Sequence, residues 1–320
     1  MCIASVPDRR ALLTLVLATG VLGLARPLCA QNEPEAEARL LTNLLTRMAV
    51  EVELGRRRAL FVIDTGAERT SISDRLAAEL KLAAGPLVRV HGITGSVLAP
   101  TARLPQLSFS QRRFADLILP IFPYALLRTD GLLGLDALSR FRLTLDFHNR
   151  RVLLAPSYGP GSTSVFAEGR ASRLPFVESL VQENLFQRLL ISRVVADGVE
   201  AVAFIDTGAQ YSIGNHALMR TLDARLGRVD RPQARVYGVT GQSLMAEVGQ
   251  VSSLQLHQRD LGLTPLLFAD LHAFHILGLI EPPALLLGAD VLTRFDRVVL
   301  DYGARRIGFG SVTRRPPSSA

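Results

Sequence analysis

The chain carries the same series of motifs twice, and that repetition restricts the folds open to it. Residues 61–73 read FVIDTGAERTSIS, residues 90–96 VHGITGS, and residues 131–154 GLLGLDALSRFRLTLDFHNRRVLL. In the same order, residues 204–215 read FIDTGAQYSIGN, residues 236–242 VYGVTGQ, and residues 285–309 LLLGADVLTRFDRVVLDYGARRIGF. Three patterns recurring in one order imply two copies of one structural unit. The expected organisation is an N-terminal half over 46–156, a linker over 157–175 and a C-terminal half over 176–313.

Local patterns give both halves the same plan. Met48–Leu54 and Ala59–Ile63 read as strands around Gly55, and 189–196 and 199–205 as strands around Asp197-Gly198, a strong hairpin signal. Each second strand runs directly into Asp-Thr-Gly. A helix is expected from Ser73 through Leu80, capped by Ser73 or Asp74, with Asn215 to Leu222 as its counterpart. The Gly92–Gly95 and Gly238–Gly241 segments read as hairpin tips. Asp136 and Asp290 are placed to cap short helices over 137–140 and 291–294. Asp146 and Asp301 each end a hydrophobic strand and read as turn caps.

Composition excludes several classes. Hydrophobic residues make up 48% and aromatics 6%, with no Trp, which suits a strand-rich globular protein and not a disordered one. The net charge is +7, but the only lysine is Lys81 and the arginines are scattered singly or in short runs. Without aromatics interleaved on one basic face, no nucleic-acid partner is expected. Both cysteines, Cys2 and Cys29, lie in the first 30 residues, which leaves the rest of the chain without a thiol. Arg9 and Arg10, the apolar stretch 11–25 and the polar run from Gln31 read as a secretory signal over 1–30, with a polar linker over 31–45. An uncleaved membrane anchor through 11–25 is the alternative; either way, an envelope or periplasmic location is expected. Residues 314–320 read as a loose tail.

One Asp-Thr-Gly is a weak signal, since Asp and Gly are ordinary turn residues. Two copies at matched repeat positions, each followed by a Gly-rich hairpin, ask for more than a turn. Two carboxylates held close together cannot both be ionised, so Asp64 and Asp206 would share one proton and hold a water between them. One would take a proton from that water while the other protonates the attacked carbonyl oxygen. Gly66 and Gly208 would permit close backbone approach. Thr65 and Thr207 would hydrogen-bond across the contact.

On Asp64-Thr65-Gly66-Ala67, Asp206-Thr207-Gly208-Ala209, the apolar segments ending at Gly134 and Gly288, and the phenylalanine-led strands after them, the chain resembles the retropepsin-like aspartic peptidases. It is most similar to bacterial envelope members with two fused domains, from about residue 45 to 310. The resemblance implies a mainly β fold of two closed barrel-like halves sharing one cleft, each with a short helix. It implies an endopeptidase with Asp64 and Asp206 as its dyad and the strands ending at Gly134 and Gly288 as braces. The segments His91, Gly92, Ile93, Thr94, Gly95 and Tyr237, Gly238, Val239, Thr240, Gly241 would be flaps over an extended polypeptide substrate. Tyr237 is similar to the flap tyrosine of pepsins, and His91 takes the matching place in the first flap. Ala67 and Ala209 follow the retroviral pattern, where pepsins carry a hydroxyl, so optimal activity is expected at mildly acidic to near-neutral pH. Glu68 is acidic and Gln210 is not, which makes substrate contacts asymmetric.

No cofactor or metal is expected: His272 and His275 stand three apart with no third ligand at metal spacing, and no phosphate-binding loop is present. The chain would act as a monomer, its two halves forming an internal pseudo-dimer. The alternatives are an inactive peptide-binding or dimerisation module of the same fold, and halves that pair with their twins in another chain.

Overall fold

The computed structural model describes residues 36–39, 41–42, 47–157, 176–178 and 191–313. The expected leader over 1–30, most of the linker over 157–175 and the tail over 314–320 lie outside these residues. Within the stretch read as a polar linker, Ala36–Arg39 and Leu41–Thr42 are strands.

Period-two burial explains the first strands. In Met48–Leu54, Val50, Val52 and Leu54 point inward while Glu51 and Glu53 face solvent, the alternation a half-buried strand requires. This strand turns at Gly55 (φ 65°) into Arg57–Ile63, which buries Phe61, Val62 and Ile63 in succession. Six strands then lie side by side in the order Met48–Leu54, Arg57–Ile63, Gly131–Leu133, Ser71–Ser73, Arg112–Phe122, Thr101–Phe109. Pairing of Glu53 with Ser108 joins the last to the first and closes the ring. Closure removes the exposed strand edges that an open sheet would present.

The C-terminal half follows the same order with Ile191–Ala196, Val199–Ile205, Ala284–Leu287, Ile213–Gly214, Thr264–Phe268 and Ser243–Val251. Its ring closes differently. The chain bends after Val251, where Asp197 carboxylate oxygens accept the Ser252 and Ser253 amides at 3.0 and 2.8 Å. The continuation Leu254–Leu256 then pairs with Ile191–Ala196. The Asp197-Gly198 turn makes the bend possible: both residues have positive φ (44° and 79°), as the tightest hairpins demand.

A third sheet joins the halves. Phe141–Asp146 pairs antiparallel with Arg297–Asp301, from Arg142 opposite Asp301 to Asp146 opposite Arg297. The hairpin partners Arg151–Pro156 and Arg306–Phe309 flank this pair, with Ala36–Arg39 and Phe176–Glu178 outermost. Asp146 and Asp301 hold the two turns: Asp146 accepts the Asn149 amide at 2.9 Å and Asp301 the Ala304 amide at 3.0 Å. One buried apolar cluster runs through both halves, from Val50 and Phe61 to Phe204, Phe274 and Leu286.

The main helices begin where the sequence places them. Ser73 Oγ accepts the Leu76 amide at 3.1 Å and starts Asp74–Glu79; Asn215 Oδ1 accepts the Leu218 amide at 2.8 Å and starts His216–Leu226. The second runs one turn past its expected end and stops at Gly227. The two short helices differ from expectation. They span Leu135–Leu138 and Ala289–Leu292, with Gly134 and Gly288 at their caps. Asp136 and Asp290 sit inside the first turn, because their carboxylates are engaged by a loop of the site.

Candidate active site

Each Asp-Thr-Gly leaves a strand wedged against the one ending at the late glycine. Asp64 N donates to Leu133 O and Asp206 N to Leu287 O, both at 3.0 Å. Beyond the turn, Leu135 N donates to Ala67 O and Ala289 N to Ala209 O, both at 2.9 Å. A side chain on Gly134 would meet the Arg69 backbone at 2.5 Å, and one on Gly288 the Tyr211 backbone at 2.7 Å. These two glycines therefore pack directly behind the loops that carry the carboxylates.

A hydroxyl completes each brace, and sequence reading missed it. Asp136 Oδ1 accepts Thr70 N (2.8 Å) and Thr70 Oγ1 (2.6 Å), and Thr70 Oγ1 accepts Gly134 N (3.1 Å). In the other half Asp290 accepts Ser212 N (3.0 Å) and Ser212 Oγ (2.7 Å), and Ser212 Oγ accepts Gly288 N (3.0 Å). The signal was available: a hydroxyl residue recurs six positions after each Asp.

The two turns meet across the halves. Thr65 N donates to Thr207 Oγ1 and Thr207 N to Thr65 Oγ1, each at 3.1 Å. Each hydroxyl donates onward, Thr65 Oγ1 to Ile205 O (3.0 Å) and Thr207 Oγ1 to Ile63 O (2.6 Å). All four bonds are buried, where an unmade one would cost about 1–3 kcal/mol. Within each turn one carboxylate oxygen accepts two amides: Asp64 Oδ1 from Gly66 and Ala67 (3.0 and 2.9 Å), Asp206 Oδ1 from Gly208 and Ala209 (2.9 and 3.1 Å). Each glycine faces the opposite carboxylate. A Cβ on Gly66 would lie 2.6 Å from Asp206 Oδ2, and one on Gly208 2.6 Å from Asp64 Oδ2.

Asp64 and Asp206 are both buried, each against the glycine of the other half's turn. Burial raises the Asp64 carboxyl above the ordinary carboxylate value, and the Arg47 guanidinium opposes that rise. Burial, then the charge of Asp64, push Asp206 up to about 8. Both carboxyls are therefore biased toward the protonated form relative to a free carboxylate. Arg47 is 5% exposed, lines the same cleft and donates to Leu127 O. Nothing local in the sequence marks it, because it is one arginine among 35 and its environment is assembled from distant strands.

The pair lies in a cleft of about 900 Å³, which Ala67 and Ala209 also line. His91, Gly92 and Ile93 from one hairpin and Tyr237, Gly238 and Val239 from the other line it as well. The remaining tip residues, Thr94, Gly95, Thr240 and Gly241, are engaged between the hairpins or at their turns. Thr94 Oγ1 donates to Gln242 O (3.2 Å), Gln242 Nε2 donates to Ser96 O (3.1 Å), and Gly241 N closes its own turn on Gly238 O (3.1 Å). A Cβ on Gly92 would meet Thr240 Cγ2 at 2.9 Å, and one on Gly95 would collide with Gln242. Tyr237 is 69% exposed. His91 instead crosses to the C-terminal half, its Nδ1 3.0 Å from His272 Nε2 on the helix His272–Ile276. Burial and the neighbouring imidazoles of His91 and His275 hold His272 below its usual value. Among the described residues no group of three or more His, Cys, Asp or Glu side chains is arranged to hold a metal.

Two Asp-Thr-Gly turns thus meet at the floor of a cleft in a mainly β fold. Residues 50–140 match the family model described as "gag-polyprotein putative aspartyl protease". No curated protein matches the chain.

Proposed function

We propose that the chain is an aspartic endopeptidase in which Asp64 and Asp206 together activate one water. The observation that carries this reading is the reciprocal packing of the turns: each glycine faces the other half's carboxylate, which brings the two carboxyls together. A water held by the pair attacks the peptide carbonyl carbon. Its proton passes to the ionised carboxylate, and the protonated partner gives its proton to the carbonyl oxygen, forming a gem-diol. Collapse of the gem-diol breaks the C–N bond, returns one hydroxyl proton to the pair and delivers the other carboxyl proton to the leaving nitrogen. Arg47 favours the anionic form of the pair, which titrates as a unit.

An extended substrate would lie beneath the two hairpins, its backbone adding to their edges and its apolar side chains filling the cleft around the cut. The same proposal includes export through the leader at 1–30, or anchoring through 11–25. It also includes a processing role at the cell envelope and action as a monomer with one site.

Hydrolysis of a peptide library by the wild type and by Asp64→Asn tests the reading. The variant should lose on the order of 10³-fold or more in rate, as removal of a general base does. Survival of half the activity would mean independent sites. A wild type that binds peptides without cutting them would mean a binding module.

A further inference from the structure

The charge of the cleft departs from that of the chain. Overall, 36 basic residues face 29 acidic ones, close to balance. The cleft is lined by Arg47, Arg69, Arg89, Arg128 and Arg235, and beyond the aspartate pair by one acid, Glu68. The pair itself carries a single negative charge while it holds its shared proton. Arg69, Arg89, Arg128 and Arg235 are exposed, and none of the four forms an ion pair among the described residues.

Their placement follows the two halves. Arg89 stands three residues before Gly92 and Arg235 three before Gly238, on matched strands of the two hairpins. Both line the cleft, so a peptide bound there would run past an arginine from each half. The cleft walls also carry apolar side chains, among them Val90, Phe122, Leu132, Ile213 and Leu267.

Resting on the peptidase reading above, we infer that the preferred substrates are polypeptide segments with an apolar scissile bond flanked on both sides by Asp or Glu. Exposed cations act on encounter and on the stability of the bound state, so the preference resides in KM and weakens with salt. Each arginine contributes about two- to fivefold, the range of exposed ion pairs.

The test uses three peptides with one apolar centre, flanked by Glu, by Gln or by Lys. Cleavage by the full chain should rank Glu over Gln over Lys, and added salt should compress the ranking. Arg89→Gln/Arg235→Gln should bring the Glu-to-Gln ratio of kcat/KM down by about 4- to 25-fold, the product of two such contributions. Arg103→Gln/Arg220→Gln, equal in charge change but outside the cleft, should leave that ratio in place. Cleavage without acid preference, or a preference untouched by the hairpin variants, overturns the inference. Binding to Asp64→Asn by fluorescence anisotropy reads the same ranking without catalysis. If no peptide is cut, the peptidase reading fails, and this arm still decides the selectivity of the cleft. Equal binding of a Glu-only peptide lacking the apolar centre would reduce the effect to general polyanion attraction and overturn the inference.

Discussion

The two halves are nearly interchangeable at the floor of the cleft and differ around it. At the floor every contact has its mirror: threonine to threonine, glycine against carboxylate, hydroxyl to late glycine. Around it the N-terminal half places Arg47 beside the pair. It stands 17 residues before Asp64, where the C-terminal half has Leu189 at the same distance before Asp206. Glu68-Arg69 likewise faces Gln210-Tyr211, and His91 faces Tyr237. The contrast teaches that symmetry is held where two carboxyls must meet in one geometry, and relaxed in the surroundings that bias the charge of the pair.

Substituting the floor glycines tests the symmetric part and should have the largest effect. Gly66→Ala and Gly208→Ala each force a methyl into the opposite carboxylate. Each should lower kcat/KM by about 10²-fold through misplacement and stability by about 1–3 kcal/mol through overpacking. Peptide hydrolysis and denaturant unfolding measure the two losses. Closely matched values support equal halves, and a mild effect at only one position would break the comparison.

Arg47→Met tests the asymmetric part. The guanidinium favours the ionised pair, so its loss should move both limbs of the pH–rate profile to higher pH. On the acid side the base would ionise later, and on the alkaline side the acid would keep its proton beyond about 8. Arg47→Lys should restore much of the wild-type profile. Lower activity with unmoved limbs would reduce Arg47 to packing.

The smallest effect is expected at the hairpin. His272 prefers its neutral form in the fold, so its contact with His91 holds above the ordinary imidazole range near pH 6.5 and is lost as pH falls and a second proton enters, with His275 adding repulsion. The imidazole NMR shifts of His272 should change on acidification. In His91→Gln the His272 titration should move up toward its ordinary value. An unmoved titration would show the two rings to be uncoupled.

Much of this was legible in the chain. Alternating apolar residues, paired turn residues and the side-chain caps at Ser73 and Asn215 mark strands and helices within a residue or two. The Asp146 and Asp301 turns are equally local. The short helices were misplaced because Asp136 and Asp290, good caps by type, are drawn instead to Thr70 and Ser212. The bend after Val251 was not anticipated either, since Asp197 holds it from a strand more than fifty residues earlier.

The sequence by itself determined that the chain has two like halves, that each is mainly β, and where each Asp-Thr-Gly leaves its strand. Those properties depend on neighbours along the chain, through side-chain alternation and the backbone demands of turns. Only the tertiary structure decided that Asp64 lies against Gly208, that Arg47 stands beside the pair, that His91 reaches His272, and that Phe141–Asp146 joins Arg297–Asp301 in one sheet. Such contacts bring together residues as much as 181 positions apart, and their energies depend on burial and distance, which no local pattern encodes.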